Sequence, residues 1–333
     1  MAVLAACRAH EPASDVPAAA PAPQRTRFDL APYPEGPLPP TTQLFLVAGG
    51  DDIANFAQEV TEQGQLWRES GTNSDSIACY WAKPKPDAFK SDQKQYNALA
   101  DHLAECRRAE PATVRADLLR TAEHKPSWVY LFVTSHGLPP LLQWQGKTTD
   151  RRELADTFSV STAQLEALDQ HSVGLQAGPG PRLHQARRIA SEYSHGDAAL
   201  GDLMLSPQTL AKTLSAFPAE TVKIVVLQAC FSGGFIGPPD SPLTQVPNIV
   251  ILTATAPDRP SFGCGAGTVT THFGGAFNKA LARRLGPGVS PLDVPWREVW
   301  DDTVFIIDAI EAIDGERPSA PSFYANVGGL VVR

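Results

Sequence analysis

The 333-residue chain contains no run of about 18 apolar residues, so the sequence offers no candidate for a membrane-spanning helix. It has no C-x-x-C pair and no Cys/His cluster of ligand spacing, which removes the common zinc patterns and leaves no metal or cofactor to expect. Basic charge is in deficit. Lys and Arg number 28 against 36 Asp and Glu, and the net charge of -8 argues against nucleic acid or an anionic membrane surface as the main partner. No internal repeat with a period of about 20 to 50 residues is visible, so solenoids and propellers drop out. Charge of either sign is modest at 19%, whereas 43% of residues are hydrophobic, enough to bury a sizeable core and exclude wholesale disorder.

What is plentiful is proline, at 30 positions, nine of them in residues 1–40 among Ala-rich stretches. Proline at this density fixes φ and removes amide donors, so the segment reads as an extended tether. Near its start, Val3-Leu4-Ala5-Ala6-Cys7 resembles the lipobox of a bacterial lipoprotein, in which Cys7 would carry the lipid. No charged n-region or apolar h-region precedes it, and two readings stay open. In one, a lipid on Cys7 anchors the protein in the cell envelope, its only membrane contact. In the other the match is accidental and the protein is cytoplasmic.

From residue 41 to 333 strand and helix signals alternate. Continuous runs at Leu44–Ala48, Trp128–Thr134, Val222–Leu227 and Asn248–Thr253, with a weaker one at Ser76–Trp81, have the composition of strands buried on both faces. Helical patterns at about 53–68, 93–108, 112–122, 207–216, 271–285 and 295–313 supply covers. The order predicts an α/β fold with a mostly parallel sheet of about six strands and helices on both faces. Residues 145–200 break the rhythm and read as a partly helical insertion that shapes a cleft at the carboxyl edge of the sheet.

Two strands end in chemically pointed residues. One runs Val133-Thr134-Ser135-His136-Gly137, the other Leu227-Gln228-Ala229-Cys230-Phe231-Ser232-Gly233. A buried parallel strand delivers its last side chains to the rim where ligands bind. Here that rim would receive an imidazole and a thiol from positions far apart in the chain. A nucleophilic thiol needs such an imidazole to take its proton. The amides of Gly137 and Cys230 would form an oxyanion hole. Taken singly, Cys230 reads as a core thiol and His136 as an ordinary strand-end histidine. Both strands ending in this way reverse that preference. His195, in Ser194-His195-Gly196, is the alternative base, but charged residues of helical period precede it.

With Leu46-Val47-Ala48-Gly49 followed by Asn55-Phe56, and with Thr253-Ala254-Thr255-Ala256, Ser261-Phe262-Gly263-Cys264 and His272-Phe273-Gly274, these segments resemble the legumain-type (hemoglobinase, asparaginyl endopeptidase) cysteine peptidases, in particular their bacterial branch. The resemblance implies a caspase–hemoglobinase-like fold, Cys230 as nucleophile, His136 as base and Asn55 as the residue that orients the imidazole. Read without it, Asn55 is equally a turn or helix-entry residue. The positions of the family's charged asparagine pocket hold Ala57, Gln228 and Gly275, so asparagine is not the expected residue at the cleaved bond. Gln228, Ser261 and Arg259 are the candidates for contacting that residue. Cys264 reads as structural, and Cys79 and Cys106 would pair in an exported protein.

The expected activity is hydrolysis of peptide or protein substrates through a Cys-His dyad and a thioester acyl-enzyme. Relatives of this type often need proteolytic activation, a part for the 1–40 tail or the insertion. The rival reading is an inactive caspase-like binding module tethered in the envelope, favoured by the lost pocket charges and opposed by the retained Cys, His-Gly and Asn.

Overall fold

A computed structural model describes residues 32–327 except 84, 90–92, 103, 141–149, 170–173, 238–240 and 265–267. Cys7 and most of the 1–40 tether lie outside the described residues. Residues 32–40 rest on the body of the protein, with Tyr33 and Leu38 packed against its cores and the Gly36 carbonyl accepting from Arg107 Nη1 at 2.8 Å.

In chain order the elements are β1 (Leu44–Ala48), α1 (Ala54–Glu69), β2 (Ile77–Trp81), α2 (Gln93–His102), β3 (Arg107–Arg108), α3 (Pro111–Glu123), β4 (Trp128–Thr134), β5 (Gly137–Leu138), α4 (Arg151–Phe158), α5 (Thr162–Asp169), β6 (Gly174–Leu175), α6 (Arg182–His195), α7 (Leu200–Leu203), α8 (Pro207–Leu214), β7 (Val222–Gln228), β8 (Ile249–Thr253), α9 (His272–Ala282), α10 (Trp296–Asp314) and β9 (Ser322–Ala325). Seven strands form one sheet in the order β3-β2-β1-β4-β7-β8-β9. All pairings are parallel except that of β9 with β8. The parallel α/β expectation is met, with one strand more than the count of about six. The two strands outside the five apolar runs lie at the edges: β9 is only partly buried along its length and β3 has two residues, too little pattern for a strand signal. The helix expected over 93–108 ends at His102 for the same reason, since β3 takes its last residues.

The alternation of side chains along each strand splits the core in two. Leu44, Leu46, Tyr130, Phe132, Ile224, Val226, Val250 and Leu252 face α1, α9 and α10. Phe45, Val47, Val129, Leu131, Val225, Leu227, Ile249 and Ile251 face α3 and α8. Such two-sided burial is why these strands read as continuous apolar runs. The insertion has a small core of its own, built from α4–α7 with Leu154, Phe158, Leu165 and Ile189. It is pinned to the sheet rim where β6 pairs antiparallel with β5, directly after His136. Cys79 and Cys106 are joined as a disulfide between β2 and the segment before β3. Among the described residues no helix is long and apolar enough to cross a membrane.

Candidate active site

Thr134 and Gln228 are register partners at the ends of β4 and β7, and two residues past each strand end come His136 and Cys230. The Ser135 amide donates to the Gln228 carbonyl at 3.0 Å, so the two chains stay together beyond the ladder. Gly137 then passes so close to the Cys230 turn that a Cβ on it would lie 1.6 Å from the Cys230 carbonyl oxygen. Only glycine fits there. His136 and Cys230 are thus delivered to adjacent strand ends, 6% and 4% exposed.

The turn after Cys230 explains its own sequence. Phe231 adopts a left-handed φ of 62°, with its amide donating to the Arg259 carbonyl at 2.9 Å. Ser232 Oγ accepts from the Ala254 amide at 3.0 Å. A Cβ on Gly233 would stand 2.4 Å from the Thr255 carbonyl oxygen. Hydroxyl and glycine therefore fasten the turn to the end of β8, and the strained Phe231 aims Cys230 at the rim.

The third wall comes from β1. The Gly49 amide donates to the Thr134 carbonyl at 2.9 Å, and Gly50 turns with φ of 88°, facing His136 Cδ2, Asp52 Oδ1 and Phe56 Cε2 so closely that a Cβ would meet each at 3.2 Å. This turn presents Asp52, whose Oδ1 and Oδ2 lie 3.0 and 3.2 Å from His136 Nε2. The Phe56 ring stands edge-on to the imidazole at 5.3 Å. Burial, the largest influence on Asp52, pushes its carboxyl up. The hydrogen bond and charge of His136, with smaller help from Lys85, outweigh it and hold the group below its ordinary pKa. Sequence reasoning misses Asp52. The available signal is an acidic pair, Asp51-Asp52, placed straight after the Gly-Gly that follows β1 at the same rim.

Asn55 is buried on the first turn of α1, and its amide donates to the Thr268 carbonyl at 2.8 Å and hydroxyl at 3.3 Å. It ties α1 to the loop before α9, while the ring Nε2 of His136 meets Asp52. Ser261 lies against Cys230: its amide donates to Cys230 Sγ at 3.3 Å and its carbonyl lies 3.7 Å from the sulfur. Gln228 Nε2 reaches Ser261 Oγ at 3.5 Å. The Arg259 guanidinium donates to the Pro318 carbonyl at 2.6 Å, so Arg259 serves the turn through its backbone. His195 is the exposed last residue of α6, with Nδ1 at 2.6 Å from the Ser191 carbonyl of its own helix. Cys264 is a buried free thiol packed into the larger core. Among the described residues no group of three His, Cys, Asp or Glu side chains is placed to hold a metal ion.

A fully buried carboxyl, Glu59, also escapes the sequence reading. It lies one turn beyond Asn55 on the inward stripe of α1. Its Oε2 is 2.5 Å from Thr134 Oγ1 and its Oε1 accepts from the Thr271 amide at 2.6 Å. A charged residue at a core-facing position of an otherwise buried helix face is the signal for it.

The segment carrying the Cys230 turn has relatives. Residues 195–285 match the model of the Peptidase C13 family. That stretch, less than a third of the chain, includes β7 with Cys230, β8 and the Ser261 loop, and supports the legumain-type likeness of those motifs. His136, Asp52 and Asn55 fall outside it. No curated protein matches the chain. Among solved structures, protein GSU0716 from Geobacter sulfurreducens aligns at 12% identity and a TM-score of 0.46, covering 86% of this chain and 94% of its own. Caspase-1 from Spodoptera frugiperda aligns at 12% identity and a TM-score of 0.41, covering 93% and 95%. The Peptidase C13 match, with the α/β sheet, suggests a cysteine peptidase acting on peptides or proteins.

Proposed function

We propose that the protein is a cysteine peptidase in which Cys230 is the nucleophile, His136 the general base and then acid, and Asp52 the group that orients the imidazole. The observation that carries this reading is the delivery of His136 and Cys230 to neighbouring strand ends with Asp52 already on one ring nitrogen. With Nε2 engaged by Asp52, Nδ1 is the nitrogen that serves the thiol, and the carboxylate stabilises the imidazolium formed when the proton moves. The Ser261 amide adds a donor to the thiolate. Cys230 Sγ attacks the peptide carbonyl carbon, the amides of Gly137 and Cys230 hold the developing oxyanion, and His136 returns the proton to the leaving amine as the C–N bond breaks. Water, deprotonated by His136, then cleaves the thioester and frees Cys230. Ala57 and Gly275 carry no charge, so no asparagine preference is assigned.

The test exposes an unbiased peptide library to the protein and to Cys230→Ala, with new termini read by mass spectrometry. Cuts made by the wild type and absent from the variant support the reading and reveal the residue preferred at the bond. Asp52→Asn keeps the shape but removes the charge on the imidazole, and it should lower kcat by about a hundredfold or more. Cutting that survives in Cys230→Ala would sink the assignment. A wild-type Cys230 that cuts nothing and resists alkylation would favour the inactive binding module.

A further inference from the structure

Four groups lie in line between α1 and the nucleophile. Thr134 Oγ1 stands 2.5 Å from Glu59 Oε2 and 2.9 Å from Gln228 Oε1. Gln228 Nε2 stands 3.5 Å from Ser261 Oγ, and the Ser261 amide donates to Cys230 Sγ at 3.3 Å. Glu59, Thr134 and Gln228 are wholly buried and Ser261 nearly so. One hydroxyl has one hydrogen, so Thr134 cannot donate to a carboxylate oxygen and an amide oxygen together.

Two arrangements satisfy every member. If Glu59 carries a proton, it donates to Thr134, Thr134 donates to the Gln228 oxygen, and the Gln228 NH₂ faces Ser261. If Glu59 is ionised, Thr134 donates to it, the Gln228 amide turns over to donate to Thr134, and its oxygen faces Ser261. In the first arrangement Ser261 Oγ is an acceptor and its own hydrogen is free for the site. In the second that hydrogen is donated to Gln228.

We propose that Glu59 is a positioning residue of the Cys230 site, setting through the Thr134 hydroxyl which end of the Gln228 amide faces Ser261. The inference rests on the peptidase reading, because it assigns Gln228 and Ser261 to the surroundings of the nucleophile. The switch works near neutral pH. Burial pushes the Glu59 carboxyl up to about 7, against the hydrogen bonds of Thr134 and Thr271, with the like charge of Glu62 on its own helix adding to the rise. β4, β7 and α9 with its N-cap present to it Thr134, Gln228 and Thr271, all neutral.

The test is the rate of Cys230 alkylation by iodoacetamide from pH 5.5 to 8.5, mapped by mass spectrometry, in wild type, Glu59→Gln and Thr134→Val. The carboxamide introduced by Glu59→Gln donates to Thr134 at every pH and holds the first arrangement. Every other group of the site is common to the three proteins and cancels in a ratio. Wild type should match Glu59→Gln at pH 5.5 and fall about fivefold behind it at pH 8.5, the size of one neutral hydrogen bond lost at the site. Thr134→Val, which cuts the line without touching Glu59, should show no such change in its ratio to Glu59→Gln, and it keeps the test open if Glu59→Gln fails to fold, through the missing inflection near pH 7. A reactive Cys230 with the same profile in all three proteins overturns the Glu59 assignment alone. A wild-type Cys230 inert until the pH of a free thiol, about 8.5, overturns the peptidase reading and this inference with it.

Discussion

Two carboxyl groups are buried on opposite faces of the sheet, and their company differs. Asp117, on α3, is 1% exposed and held by cations: Arg107 Nε is 2.9 Å away, Arg120 Nη1 is 2.7 Å away, and the Tyr80 hydroxyl donates at 2.9 Å. Glu59, on α1, is 0% exposed and is met by the Thr134 hydroxyl and the Thr271 amide. Asp117 locks β2, β3 and α3 at one edge of the sheet. Glu59 sits at the centre, under the ends of the two strands that carry His136 and Cys230. Cations offset the desolvation of a buried carboxylate, whereas a carboxyl facing neutral donors avoids that penalty by keeping its proton. The central site therefore holds the group that can change state near neutral pH, and the periphery holds one fastened by ion pairs.

The sharpest way to break this contrast is to remove both charges in turn. Asp117→Asn leaves the partly buried Arg107 without its counter-charge and should cost about 3 kcal/mol in denaturant unfolding. Glu59→Gln removes no ion pair and should cost far less at pH 5. Equal losses from the two substitutions would show that Glu59 has a cationic partner after all.

A smaller effect separates them by pH. The folded-state pKa of Glu59 is raised from 4.5 to about 7, so the unfolded chain gives up this proton first as pH rises. The stability contribution is complete below about pH 4.5 and is lost as pH climbs to about 7, a fall on the order of 3 kcal/mol from this group. Urea titrations at pH 5 and pH 8 should show this fall in wild type and its removal in Glu59→Gln. Asp52 has the opposite sign. Its depressed pKa stabilises above the ordinary carboxylate range, and that contribution is lost on acidification.

The same contrast marks what can be read from the sequence. The strands at Leu44–Ala48 and Trp128–Thr134 are legible to the residue, because burial on both faces makes each an almost continuous apolar run. The placement of His136, Gly137 and Cys230 just past two neighbouring strand ends is legible because such strands deliver their last residues to the rim. β9 is not, since an edge strand with intermediate burial carries no periodic signal. Asp52 and Glu59 are hidden for a different reason. An acidic residue in a loop or on a helix reads as solvent-facing until the tertiary fold shows what it touches, and the partners of Glu59 lie 75 and 212 residues away in the chain.

The fit around Glu59 yields the last and smallest prediction. A Cβ on Gly274 would lie 2.1 Å from Glu59 Cδ, so this position on the first turn of α9 is small because the carboxyl fills the space. Gly274→Ala gains the helix preference of alanine over glycine but pushes on a buried group with little room to yield, for a net cost of about 1–2 kcal/mol. Shortening the opposing side chain relieves the clash. In Glu59→Ala the Gly274→Ala change should become neutral or stabilising, and a double-mutant cycle should return a coupling of about 1–2 kcal/mol. No such coupling is expected between Gly274 and Asp117, whose helices cover opposite faces of the sheet. A cycle that closed to zero at Glu59 would mean that the carboxyl does not occupy the space beneath Gly274, and with it would go the line of contacts from α1 to Cys230.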